Sequence, residues 1–310
     1  MSTLICGSFA FDSIMVFSGR FKDHILPDQV HILNVSFLVP SLRREFGGCA
    51  GNIAYNLALL DGSPWPMATI GDDGQPYLDH LDRFRIDRRF VRQVPGTLTA
   101  QAFITTDLDD NQITAFHPGA MSHSHLNRIE PAGIELAIVG PDGRDGMLQH
   151  AQQISEAGIP FIFDPGQGIP MFEAAELEWF IERAQYLAVN DYEARLMAAK
   201  TGCDLESLAR RLKSVVVTLG AQGSRIHVGG NVLQIPAAPA RAVRDPTGCG
   251  DAYRAGLLYG IAQGLDWPST GRLGAVMGAL KIEQAGAQRH TPTRAQIEER
   301  FLEAFGYRPW

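Results

Sequence analysis

Short apolar runs alternate with stretches of helical periodicity along most of the chain. Residues 3–7, TLICG, form an apolar run stopped by glycine and predict a buried first strand. Residues 28–39, DQVHILNVSFLV, alternate loosely, are rich in β-branched and aromatic residues, and predict a second strand. GGCAGNIAYNLALLDG (47–62) predicts a glycine-rich turn opening a helix. Its apolar face is Ala50, Ile53, Ala54, Leu57, Ala58 and Leu60, and Gly62 is its stop. Residues 98–107 and 112–116 flank the turn LDDN and predict a β-hairpin.

From residue 134 the pattern becomes a regular alternation. Strands are predicted at 134–140, 159–166, 186–190 and 215–220, and helices at 147–158, 176–184 and 191–202. GSRIHVGGNVLQIP (223–236) predicts an antiparallel hairpin with a Gly-Asn type turn. Repeated strand–helix units imply a mostly parallel sheet covered by helices, with ligands at the carboxyl ends of its strands. The chain lacks a repeat, a low-complexity stretch or a linker, so one domain over 1–310 is expected.

Composition narrows the function classes. The net charge is −7, from 27 Lys and Arg against 34 Asp and Glu. That argues against a nucleic-acid polymer or a membrane surface as partner. No apolar run is long enough to span a membrane, and residues 1–17 lack the basic start of a signal peptide. The four cysteines, Cys6, Cys49, Cys203 and Cys249, form no CxxC pair, so a reduced, cytoplasmic setting is expected. His117, His123 and His125 lack acidic or cysteine companions and read as a solvent-facing loop. RFRIDRRF (83–90) reads as a solvated helix face.

Four segments carry chemistry. In DPTGCGDAYRAGLLYG (245–260), Thr247 to Asp251 precede a helix whose apolar face begins at Ala255. A helix N-terminus with two glycines is an anion site. An acid placed there, Asp251, suits a hydroxyl about to attack a phosphate; interaction with the helix dipole is the plainer alternative. GGCAGN (47–52) matches neither phosphate-binding glycine pattern; Gly47 and Gly48 permit close backbone approach, and Asn52 suits a polyhydroxyl ligand. Asp12, in GSFAFD, can accept two hydrogen bonds from a vicinal diol, or act as a turn residue. Asn190 and Glu193, in NDYE, face one side of a helical turn; they suit hydrated Mg²⁺ or a helix cap.

Together these segments resemble the PfkB (ribokinase-like) carbohydrate and nucleoside kinases. GGCAGNIA matches the first family signature and DPTGCGDAYRAGL the second, while GSFAFD and NDYE stand where that family has its substrate aspartate and its NxxE magnesium motif. Residues 23–48 and 111–122 look most like bacterial adenosine and broad nucleoside kinases. Cys249 departs from the more usual alanine.

The resemblance implies a ribokinase-like three-layer α/β fold with a small β-sheet lid, its segments at about 10–40 and 96–118. It implies an ATP-dependent, Mg²⁺-requiring kinase acting on the 5′-hydroxyl of adenosine, with inosine, guanosine and cytidine as further candidates. Asp251 would be the base, and the amides of Gly248, Cys249 and Gly250 would stabilise the transferring group. Ser8, Asp12, Ser36, Gly47, Gly48, Asn52, Phe116 and Gln167 would bind the nucleoside, with Phe116 stacking on the base. Ala102 would leave that pocket roomy. Asn190, Thr218, Gly220, Gly248, Gly250 and Gly286 would bind ATP, and Asn190 and Glu193 would hold Mg²⁺, largely through water. Lids of this kind pair between subunits, so a homodimer is expected. A sugar kinase of the same family and a non-catalytic nucleoside-binding regulator are the alternatives.

Overall fold

Alternate residues of strand 134–139 enter different helix layers, and this divides the whole molecule. Leu136 and Ile138 pack on one side, and Ala137 and Val139 on the other. Strands apolar on both faces are what a sheet covered twice by helices requires. The computed structural model describes residues 1–25, 34–109 and 111–310. The elements below are those of the described residues.

In chain order they begin with β1 (Ser2–Cys6), β2 (Ala10–Val16), β3 (Ser41–Gly47), α1 (Cys49–Leu59) and β4 (Ser63–Ile70). Next come α2 (Gln75–Arg83), β5 (Val91–Gln93), β6 (Ala100–Thr106), β7 (Gln112–His117) and β8 (Ile134–Val139). Then follow α3 (Arg144–Glu156), β9 (Phe161–Phe163), α4 (Ala174–Arg183), β10 (Tyr186–Asn190), α5 (Asp191–Thr201) and α6 (Leu205–Arg211). The chain closes with β11 (Ser214–Thr218), β12 (Ser224–Val228), β13 (Asn231–Ile235), α7 (Cys249–Ala262), α8 (Trp267–Ile282) and α9 (Arg294–Phe305).

The nine-stranded sheet has the order β13-β12-β11-β10-β9-β8-β1-β4-β5 and is parallel up to β11, with an antiparallel hairpin at that edge. The chain builds outward from β1 through β4 and β5, then restarts at β8 on the other side. The switch point at β1 and β8 is where such sheets open a crevice at their carboxyl ends. Residues of α1, α7, α8 and α9 fill one layer; those of α3, α4, α5 and α6 fill the other. This is the ribokinase-like three-layer fold expected above.

The second sheet, β3-β2-β6-β7, is the lid. The hairpin β6–β7 stands where predicted. The strand predicted at 28–39 does not: residues 34–39 have no regular structure, and 26–33 lie outside the described residues. The lid's remaining strand is β3, SLRREFG, past the expected boundary at 40. Its charged centre conceals it in the sequence, because Arg44 covers the Phe11 ring at 3.6 Å and Glu45 turns inward.

RFRIDRRF is not a helix face. Helix α2 ends at Arg83, Arg85 takes a φ of 55°, and Asp87 binds the Arg89 amide and guanidinium in a loop. Residues 119–126 form a short 3-10 helix rather than an open loop, with Ser124 buried and His123 and His125 half-buried. The hairpin β12–β13 turns on Gly229 and Gly230, both at positive φ. No helix of the described residues is long and apolar enough to cross a membrane.

Candidate active site

Asp251 lies in the first turn of α7, and its Oδ2 accepts a 2.8 Å hydrogen bond from Nδ2 of Asn52 in α1. The two glycine-led helices therefore meet at their N-termini over the crevice. Burial lifts the Asp251 carboxyl to about 7. Asn52 and Arg254 oppose that rise, while Asp164 and Asp12 add to it. A carboxylate raised in this way takes up a proton far more readily than a free one.

The turn ahead of α7 is shaped by glycine. Gly248 is the N-cap at φ 79°, and an added Cβ would sit 2.8 Å from Ala287 Cβ. The Cys249 amide donates to Pro246 O within that turn. Gly250 is exposed and has only Arg254 Nη1 near an added Cβ. Its amide stands in the first turn of α7, among the donors that lack an intrahelical partner.

Gly47 and Gly48 serve the protein's own packing. A Cβ on Gly47 would strike the Asp12 carboxylate, and one on Gly48, at φ 83°, would lie 2.7 Å from Ala10 N. Asp12 is thus seated against the first glycine turn. Burial raises its carboxyl to about 6, helped by Glu45 and Asp245.

Strand register extends the site across the lid. Asp12 is opposite Glu45 on β3 and Ala102 on β6, and Ala102 is opposite Phe116 on β7. Directly opposed residues share a sheet face. Asp12 and Phe116 therefore look the same way, two strands or roughly 10 Å apart. Phe116 is 52% exposed, so its ring is available.

The other expected residues take simpler positions. Ser8 Oγ accepts from the Cys49 amide and so caps α1. Ser36 and Gln167 are exposed, Gln167 in the turn after Asp164. Asn190 and Thr218 are register partners at the ends of β10 and β11. Gly220 opens the turn after β11 at φ 58°, with open space around it. The Gly286 amide donates to Asp245 Oδ2.

Asn190 and Glu193 form a capping box, each side chain accepting the other's backbone amide at 2.8 and 2.7 Å. Glu193 keeps its second oxygen. Burial raises its pKa, with Asp164 adding to the effect, so the position favours an added cation. Among the described residues no group of three His, Cys, Asp or Glu could hold a metal ion. An ion beside Glu193 would take most of its ligands from water and phosphate, as Mg²⁺ does.

Several participants went unread in the sequence. Asp164 and Arg254 form a buried pair, Glu45 pairs with Arg289, and Asp245 ties its turn to Gly286 and Lys281. Asp164 stood within the predicted strand 159–166, just ahead of Gln167, and Arg254 within the 245–260 segment, which was their only signal.

The arrangement is an anion turn with a poised carboxylate, faced by a lid carrying an acid and an aromatic ring. A family model for pfkB family carbohydrate kinases matches residues 11–294. The chain is 57% identical to Burkholderia thailandensis nucleoside kinase in complex with inosine, with a TM-score of 0.91 and 99% of each chain covered. Against that protein's ADP-inosine complex the identity is 58% and the TM-score 0.89, covering 99% of this chain and 97% of that one. The nucleoside kinase of Methanocaldococcus jannaschii is 30% identical over 273 residues, 86% of this chain and 89% of its own length. The chain belongs to the pfkB family of carbohydrate kinases and is a phosphotransferase that acts on a hydroxyl group.

Proposed function

We propose that the protein is an ATP-dependent nucleoside kinase that phosphorylates the 5′-hydroxyl of ribonucleosides: adenosine, with inosine, guanosine and cytidine as further substrates. The observation that carries this reading is the shared lid face of Asp12 and Phe116, opposite Asp251 at the anion turn. An acid and an aromatic ring at that separation suit a ribose diol joined to a base. The similarity to nucleoside kinases, one with inosine bound, supports the same choice.

Asp12 accepts hydrogen bonds from the ribose hydroxyls, and Phe116 stacks on the base. Asp251 accepts the 5′-hydroxyl proton as that oxygen attacks the γ-phosphorus in line; the bond to the β-phosphate oxygen breaks and ADP leaves. In a loose transition state the proton leaves late, so positioning matters more than basicity. The Gly248 and Gly250 amides face the developing charge. Asn190, Thr218, Gly220 and Gly286 line the ATP side. Asn190 and Glu193 would hold Mg²⁺, largely through water. When bound, Mg²⁺ neutralises charge on the phosphate oxygens. The lid excludes water, and its outer apolar residues join two copies into a homodimer.

Assaying nucleosides and free sugars with ATP and Mg²⁺ tests this reading. Turnover of adenosine and inosine is expected, and turnover of ribose alone would overturn it. Asp251→Asn should lower kcat by about 10²–10⁴, the usual worth of a positioned base, with ATP affinity little changed. Near wild-type turnover would remove Asp251 from the role of base.

A further inference from the structure

Behind Asn52 lies a buried polar cluster that the proposed reaction does not use: Tyr77 and His80 from α2, and Gln288 from the segment between α8 and α9. Gln288 Nε2 donates to Asn52 Oδ1 at 2.9 Å and to Tyr77 Oη at 3.0 Å. Tyr77 Oη donates to the Gly47 carbonyl at 2.7 Å. His80 Nε2 lies 2.9 Å from Gln288 Oε1.

These contacts fix one another's direction. A carbonyl only accepts, so the single Tyr77 proton goes to Gly47 O and Tyr77 can only accept from Gln288. The amide nitrogen of Gln288 must then face Tyr77 and Asn52. Its oxygen must accept from His80, which places the imidazole proton on Nε2. Asn52 must in turn show its oxygen to Gln288 and its nitrogen to Asp251. The Gly47 carbonyl thus sets the polarity of a chain ending 2.8 Å from the Asp251 carboxylate.

We propose that Gln288 is a positioning residue which, held by Tyr77 and His80, locks the Asn52 amide with its nitrogen toward Asp251. A reversed amide would set oxygen against oxygen and would require a protonated Asp251. Its bearing on catalysis rests on the reading of Asp251 as base; the amide orientation does not. The charged and titratable groups around Asp251 are Cys49 of α1, Tyr77 of α2, Asp12 of β2, Asp164 after β9, and Cys249 and Arg254 of α7, with Glu193 of α5 beyond Arg254. Only the Asn52 contribution depends on Gln288.

The test is Gln288→Met, close in shape but unable to donate, with Tyr77→Phe as a second variant and His80→Gln as the conservative one. The readouts are the ¹³C titration of the Asp251 carboxyl, assigned by its loss in Asp251→Asn, and the pH profile of kcat. Gln288→Met should raise the Asp251 midpoint by about one unit, equivalent to tenfold in the proton equilibrium. The acid limb of kcat should move the same way, with a smaller loss at pH 9. Tyr77→Phe should move both less, and His80→Gln, which keeps a donor for Gln288 Oε1, should restore wild-type titration. Unchanged Asp251 titration in Gln288→Met and Tyr77→Phe, whatever their thermal stability, overturns the proposal. A moved titration with an unmoved kcat profile leaves it standing and removes Asp251 as the base.

Discussion

Arg254 and Asp164 are joined by two hydrogen bonds, Nε to Oδ2 at 3.0 Å and Nη2 to Oδ1 at 3.1 Å, with both side chains 6% exposed. Arg254 lies one helical turn after Asp251, and Asp164 follows β9. The pair therefore ties α7, which carries Asp251, to the carboxyl end of the central sheet. Glu193 Oε2, 3.9 Å from Arg254 Nη2, brings α5 into the same group. One guanidinium thus stands among Asp164, Glu193 and Asp251, and all three hold it protonated.

Arg254→Met should destabilise the fold by roughly 3–5 kcal/mol, because it leaves the Asp164 charge buried without a partner. Arg254→Met with Asp164→Leu should recover part of that loss, since two apolar residues leave no uncompensated charge. Urea unfolding of the two variants compares them directly. A single variant as stable as wild type would mean that the pair carries no structural burden.

kcat/KM should rise with pH through the range from about 6 to 7 and level off above it. Burial lifts Asp12 to about 6 and Asp251 to about 7, and the proposed reaction uses both as carboxylates. The same shift affects stability with a fixed sign. A carboxyl with a raised folded-state pKa binds its proton more tightly folded than unfolded, so stability falls as pH climbs from about 4 toward 7. Asp251→Asn removes that loss, and its gain in Tm over wild type should be larger at pH 8 than at pH 5. Calorimetry at the two pH values measures it.

The parallel core and both glycine-led helices were legible because each is local: apolar runs end in glycine, and the turns precede clear helical faces. Other elements depend on distant partners. Strand β4 carries Pro64 and Pro66, which argue against a strand. They fit because only Ala68 to Ile70 pair with β5, leaving the proline stretch bonded to β1 alone. Helix α8 is apolar nearly all round, so it shows no periodicity. Its Gly274 faces Gly256 of α7 so closely that a Cβ on Gly256 would lie 2.6 Å from Gly274 Cα. Asp251, Asn52 and Asp12 announced themselves through short motifs. Gln288 could not, since it meets Asn52 across 236 residues.

Phe103→Glu together with Leu42→Glu should abolish a lid-mediated homodimer and leave the monomer folded. Leu42, Phe103 and Ile113 are 67%, 42% and 44% exposed. Register places them on the lid face opposite Asp12: Leu42 pairs with Met15, Phe103 with Ser13, and Ile113 with Thr105. Light scattering across a concentration series measures the mass. A wild-type protein that stays monomeric at every concentration would refute the dimer.

Gly47→Ala should weaken ribonucleoside binding through Asp12 alone. Gly47 is not at positive φ, so alanine imposes no backbone strain there, but its Cβ would strike the Asp12 carboxylate. Displacing that acid loses its hydrogen bonds to the ribose diol. At about 1.5–3 kcal/mol for a hydrogen bond to a charged group, KM for adenosine should rise roughly 10- to 100-fold. Asp12→Ala should do the same, and the double variant should be no worse than Asp12→Ala, because both changes remove one interaction. For 2′- and 3′-deoxynucleosides, expected to be poorer substrates because they would leave Asp12 partly unpaired, the added penalty should shrink. Additive losses in the double variant, or equal kcat/KM for ribose and deoxyribose forms, would show that Asp12 does not hold the diol.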